Sequence, residues 1–152
     1  MSDLEDLYQE VIMEHNLKPR NFTKIEDSNR FSEGFNPFCG DTIHIYVKID
    51  GNKISDVGFQ GSGCAISRAS ASMMTEVIKG KTTEETDKLL NIFHGMMKNE
   101  IEDESELHHH DLGDLETLSG VSKFPTRVKC ATLSWNTLRA ALDGTKDTVK
   151  TE

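Results

Sequence analysis

The spacing of apolar residues changes several times along the chain, and each change marks an element. Leu4, Leu7, Tyr8, Val11 and Ile12 recur at helical spacing behind Ser2 or Asp3, either of which can cap a helix with its side-chain oxygen. A first helix is therefore predicted over about 3–15, ended by Pro19. From Asp41 the period drops to two: Ile43, Ile45, Val47 and Ile49 alternate with His44, Tyr46 and Lys48. Asp50-Gly51-Asn52 then supplies a hairpin turn, and 53–60 should return antiparallel. The stretch 31–38 is a third strand candidate, although its glycine and proline count against it.

Gly61-Ser62-Gly63 breaks the sheet, and Ala65, Ile66, Ala69, Met73, Val77 and Ile78 predict a helix over about 64–79, closed by Gly80. Thr82 and Glu85 have the spacing of a capping box, opening a helix with Leu89, Leu90, Ile92, Phe93, Met96 and Met97 on its apolar side. Methionines in such a stripe fill a core more often than they line a cofactor. After Pro125, a favourable first-turn residue, Val128, Ala131, Trp135, Leu138 and Leu142 alternate steps of three and four up to Gly144.

Between Lys98 and Lys123 the apolar period fades into an acidic segment holding His108-His109-His110. Adjacent residues of one helix or strand face different ways, so the three histidines read as a solvated loop and the segment as an excursion from the core. The expectation is a single domain over 1–144 with an inserted segment at about 99–123 and a frayed tail over 145–152.

Charge narrows the function. The chain carries 26 acidic against 17 basic residues, a formal net charge of −9, which disfavours nucleic acid and anionic membranes as partners. The N-terminus lacks the basic and apolar regions of a signal peptide, and no run approaches the ~18 apolar residues of a membrane span. A cytoplasmic location is expected. There the 3 cysteines would stay reduced, which points to metal binding or thiol chemistry in preference to disulfides.

Cys39-Gly40-Asp41 sits in a loop just before the first confident strand, where glycine lets the backbone turn so that thiolate and carboxylate can reach one ion. Cys64 follows Gly61-Ser62-Gly63 at a helix mouth, whose free N–H groups and dipole should lower its pKa and make it easily ionised. Cys130 lies one residue off the apolar stripe of the last helix and should border the core. Arg127, three residues earlier, would share that neighbourhood and, with Lys129, offset the charge of a thiolate-rich site. Three thiolates and a carboxylate form a tetrahedral set that zinc accepts, while iron–sulfur clusters also take mostly cysteine. His44 is a rival fourth ligand, more readily read as solvent-facing.

With these residues in place, the chain resembles the U-type iron–sulfur assembly proteins, the family of IscU and the N-terminal domain of NifU, and most closely its SufU branch. The matching motifs are N-P-F-C-G-D over Asn36 to Asp41, G-S-G-C-A-I-S-R-A-S-A-S-M-M over Gly61 to Met74, and R-V-K-C-A-T-L-S-W over Arg127 to Trp135. IscU-like proteins carry histidine just before the last cysteine, where this chain has Lys129, and an L-P-P-V-K stretch for which F-P-T-R-V-K is a poor substitute. The insertion around 113–121 is likewise SufU-like. The resemblance implies an α+β, SufE/NifU-like fold, with a small antiparallel three-stranded sheet packed against several helices, and zinc on Cys39, Asp41, Cys64 and Cys130. It also implies a role in taking persulfide sulfur from a pyridoxal-phosphate cysteine desulfurase, SufS, and passing it toward a SufBCD-type complex. Cys39, in its glycine-flanked loop, is the expected sulfur acceptor, and Arg127 is expected either to contact the partner or to offset the site's charge. The chain would then act with a desulfurase, not as a stand-alone enzyme. Two alternatives stay open: a scaffold for a [2Fe–2S] cluster on the same ligands, and an interaction module whose zinc only holds the fold.

Overall fold

The computed structural model describes residues 2–37, 39–98, 113–144 and 149–150, with side chains from Asp6 onward except that of Lys150. The elements run α1 (Ser2–Leu17), β1 (Arg30–Asn36), β2 (Asp41–Asp50), β3 (Lys53–Ser62), α2 (Ala65–Ile78), α3 (Thr83–Met97), a 3₁₀ helix (Gly113–Lys123), α4 (Pro125–Asp143) and β4 (Val149–Lys150). The fold is α+β, as the resemblance implied.

The three antiparallel strands form as expected, with β2 in the middle. β4 adds a fourth strand in the order β3-β2-β1-β4, pairing parallel with β1 through Gly34 and Phe35. The tail expected to fray therefore returns to cover the sheet edge at Val149–Lys150, where it gives the free β1 edge hydrogen-bond partners; positions 145–148 and 151–152 lie outside the described residues. Two registers bring the strand ends together. Asn36 pairs with Asp41 across the β1–β2 turn, and Thr42 pairs with Ser62, so the end of β1, the start of β2 and the end of β3 lie side by side. The turn is closed by the Gly40 N–H donating to the Asn36 carbonyl at 2.9 Å, with Gly40 at φ +69°, a region that favours glycine.

One face of the sheet carries the core. Ile43, Ile45, Val47, Ile54, Val57 and Phe59 are buried against Ala69, Met73 and Met74 of α2, and Phe93 of α3 stacks on Trp135 of α4 with centroids 4.5 Å apart. The Trp135 indole N–H is satisfied by Ser70 Oγ at 3.2 Å, and Ser70 donates onward to the Ala131 carbonyl at 2.6 Å. Gly34 lets α4 cross directly over β1, because a Cβ there would collide with Thr137 Oγ1. That crossing sets where the first half of α4 meets the β1–β2 turn. The Thr82–Glu85 capping box forms in both directions at 3.1 Å, and α4 ends on Gly144 at φ +77°.

One further feature departs from the sequence expectation, and a second lies outside it. The second half of the supposed excursion is a core element: Leu115 and Leu118 are wholly buried and Val121 nearly so on the 3₁₀ helix. Its apolar residues recur every third position, the 3₁₀ period, which a search for α-helical spacing passes over. His108 to His110 lie outside the described residues. The second feature is His15, 1% exposed, whose ring nitrogens bond Ser72 Oγ at 2.7 Å and Asp114 Oδ2 at 2.8 Å. It clamps α1 to α2 and to the 3₁₀ helix. Glu76 Oε1 adds a carboxylate 3.7 Å from the same nitrogen.

Candidate metal centre

The site forms at the end of the sheet where β1 turns into β2, where α2 starts and where α4 passes. Cys39 is exposed on the turn, while Cys130 is buried on α4, and their sulfurs are 3.2 Å apart. Asp41, the first residue of β2, is completely buried. One ligand atom from each of Cys39, Asp41 and Cys130 falls within 4.8 Å of the others. Cys64, the N-cap residue of α2, closes the fourth side: its backbone N–H donates to Asp41 Oδ1 at 2.7 Å and its thiol lies 3.7 Å from Asp41 Oδ2. Three of the four residues singled out from the sequence thus bring ligand atoms within 4.8 Å of one another, and Cys64 adjoins them through Asp41.

The rival ligand does not. His44 alternates to the opposite face of the sheet, where Nε2 bonds Glu33 Oε2 at 2.7 Å and the ring stacks on Phe31.

Burial changes the acid–base picture expected for Cys64. Its thiol is held above the ordinary value, chiefly by desolvation; the Ser67 N–H at the helix start works against that but does not outweigh it, and the Asp41 charge adds to the rise. The expectation of an easily ionised thiol is therefore corrected: the helix mouth is present, but burial and a neighbouring carboxylate dominate. Cys130 is pushed up further, first by burial, then by hydrogen bonds with Cys39 and Cys64. Without a cation the set resists becoming thiolate, and a divalent ion at this point would reverse the preference.

The donor set fits such an ion. Asp41 is a wholly buried carboxylate held by neutral donors, the Cys64 N–H, the Cys64 thiol and the Asn36 carboxamide. Buried carboxylates are costly unless paired or bound to a cation. Thiols beside a carboxylate are ligands zinc takes, with the sulfurs also suited to an iron–sulfur cluster.

Arg127 lies on the first turns of α4, three residues before Cys130. It is exposed, and its guanidinium carbon lies 4.5 Å above the ring of Phe124, which is itself 46% exposed. The sequence placed the arginine beside Cys130 but missed its aromatic partner, three residues earlier at the helix N-cap.

The NifU-like N terminal domain matches residues 7–131. The chain belongs to this family. Among NifU-like relatives, the zinc-dependent sulfurtransferase SufU of Bacillus subtilis is 49% identical over 137 residues, 90% of each chain. The iron–sulfur cluster assembly scaffold protein IscU of Streptococcus pyogenes is 40% identical over 142 residues, 93% of this chain and 86% of that one. The crystal structure of the SUF-system protein FiSufU from Fervidobacterium islandicum superposes with a TM-score of 0.79 at 40% identity, covering 88% of this chain and 94% of the other. A NifU-like N-terminal structure from Brucella abortus, 18% identical, shares the fold with a TM-score of 0.78.

Two residues that shape the NifU-like site escaped the sequence reading. Gly63 leaves room for the Asp41 carboxylate, which a Cβ at that position would overlap. Asn36, wholly buried at the end of β1, reaches both Asp41 and Cys130. The signal available for both was their place inside the family motifs; asparagine before proline and glycine before cysteine otherwise read as turn residues. No helix among the described residues is long and apolar enough to cross a membrane.

Proposed function

We propose that this protein works in iron–sulfur cluster assembly as a zinc-dependent sulfur acceptor, taking persulfide sulfur from a pyridoxal-phosphate cysteine desulfurase of the SufS kind. The observation that carries the reading is the contrast within one thiol pair: Cys39 is exposed on a glycine turn, while Cys130, 3.2 Å away, is buried on a helix. One sulfur is built to be reached and the other to stay. The 49% identity to a zinc-dependent sulfurtransferase supports the same view.

Zinc on Cys39, Asp41, Cys64 and Cys130 would supply charge that keeps the thiols ionised at neutral pH. The chain's own part is to present Cys39. Its thiolate attacks the outer sulfur of the partner's persulfide; a sulfur–sulfur bond forms at Cys39 as the partner's breaks, the partner cysteine leaves as thiolate, and the proton stays on the transferred sulfur. Arg127 and Phe124, at the start of the helix that carries Cys130, form an exposed cationic, aromatic pair of the kind that anchors protein interfaces. Delivery to a SufBCD-type complex would follow.

A second reading, a scaffold for a [2Fe–2S] cluster on the same four residues, draws on the 40% identity to a protein named as an IscU scaffold. Elemental analysis and visible absorption of the purified protein separate the two. A colourless protein with one equivalent of zinc is expected; a brown protein carrying iron and acid-labile sulfide would overturn the acceptor reading. A third reading, zinc that only holds the fold, predicts that Cys39→Ala leaves desulfurase turnover unchanged.

A further inference from the structure

Asn36 ends β1 and is paired in register with Asp41, the residue that begins β2. Its side chain is completely buried, and its carboxamide nitrogen stands 3.4 Å from Asp41 Oδ2 and 3.6 Å from Cys130 Sγ. That nitrogen carries two hydrogens and accepts nothing, so one rigidly placed group addresses a carboxylate on β2 and a sulfur on α4 together. Asp41 is gripped from the other side too, by the Cys64 N–H on Oδ1. Asn36 and the Cys130 sulfur it reaches are separated by 94 residues of chain. Cys39 belongs to a different mechanical setting, an exposed residue on a turn that Gly40 allows.

We propose that Asn36 is a positioning residue that keeps Asp41 and Cys130 on the metal, so that Cys39 is the ligand free to leave. The inference rests on the zinc-bound sulfur-acceptor reading of the site. The chemistry is that of an outer-shell donor: an N–H aimed at a ligating thiolate or carboxylate favours its charged form and fixes its direction. With Cys39 turned outward to accept sulfur, the residues that would hold the ion are Asp41, Cys64 and Cys130. Donors on the first and last of these keep the ion in place, and Cys39 has room to move.

The test uses Asn36→Leu, similar in size and without donors, beside Asp41→Ala and the unaltered chain. Zinc affinity is read by chelator competition, and the cobalt-loaded proteins are read by their thiolate-to-cobalt charge-transfer band. Asn36→Leu should weaken zinc by ~10–100-fold and move the band to lower energy, because a thiolate that loses an N–H donor is the stronger electron donor. A purely packing role for Asn36 would leave the band where it is. Should Asn36→Leu fold poorly, the side-chain amide protons of Asn36 in the ¹⁵N-labelled unaltered protein decide: they should move downfield on zinc loading, and no movement overturns the proposal. Zinc affinity and band unchanged in Asn36→Leu, with zinc lost in Asp41→Ala, would also overturn it and leave the metal site standing. Unchanged affinity in Asp41→Ala would withdraw Asp41 as a ligand and overturn the role assigned to Asn36 with it.

Discussion

Gly63 and Asp41 share a space that only one side chain can occupy. The Cβ that residue 63 lacks would fall inside the Asp41 carboxylate, and Gly63 itself sits at φ +151°, where residues with a side chain are rarely found. Strand end and helix start are thereby brought close enough for the Cys64 N–H to reach Asp41 Oδ1. Gly63→Ala should displace Asp41, cost ~1–3 kcal/mol of stability from backbone strain alone, and lower zinc affinity about tenfold or more. Urea denaturation of the metal-free protein and chelator competition of the loaded one measure the two effects separately. Unchanged zinc affinity would mean that Asp41 is not held where the structure places it.

The Arg127 and Phe124 pair is exposed, so truncating it disturbs no buried group. Arg127→Ala should keep its zinc and its melting temperature while weakening desulfurase binding or stimulation about tenfold, ~1.4 kcal/mol, a modest value for an interface arginine. Cys39→Ala, in contrast, should abolish sulfur acceptance, which mass spectrometry of the chain after reaction with a persulfide-loaded desulfurase would register. Full stimulation by Arg127→Ala would reduce the arginine to a counter-charge for the site.

Leu115 decides whether the 3₁₀ helix is an appendage or part of the core. It is fully buried, so Leu115→Ala should destabilise the protein by ~2–5 kcal/mol. An excursion lying on the surface would tolerate the same change within ~0.5 kcal/mol. Thermal or urea unfolding is sufficient to tell these apart.

His94 gives stability a pH dependence of known sign. Burial, and secondarily the charges of Arg139 and Lys98, hold its imidazole below the ordinary value of 6.5. The unfolded chain therefore takes up this proton before the folded one. The contribution is fully present above about pH 6.5 and is lost as pH falls through the folded value. Other groups also titrate in this range, so the difference between the natural chain and His94→Gln isolates the effect: the urea midpoint of His94→Gln should fall less between pH 7 and pH 5.5. Parallel curves would show that His94 is not desolvated.

How far the sequence reached depended on the range of the interaction involved. Period-two alternation over Ile43 to Ile49, the Thr82–Glu85 box and the Pro125 and Gly144 boundaries were legible because each depends on contacts a few residues apart. The 3₁₀ helix was missed although its period was present, since packing against the core gives a 3₁₀ segment of 11 residues a stability that its own hydrogen bonds do not supply. The four site residues could be named from motifs, and their types alone argued for a metal.

By itself, then, the sequence determined most of the helices and strands and the chemistry of the donor set, properties of local pattern and residue type. Only the tertiary structure decided which groups surround those donors. Cys39 and Cys130, 91 residues apart, meet at 3.2 Å because Gly34 lets α4 lie against β1 beside the turn that carries Cys39. His15 finds Ser72 and Asp114 across 57 and 99 residues for the same kind of reason. Cys64 shows the limit of local rules: its helix mouth argues for a low pKa, and the burial that overrides it exists only once β2, α2 and α4 have closed around the thiol. Desolvation depends on everything that packs nearby, and no window of neighbouring residues contains that information.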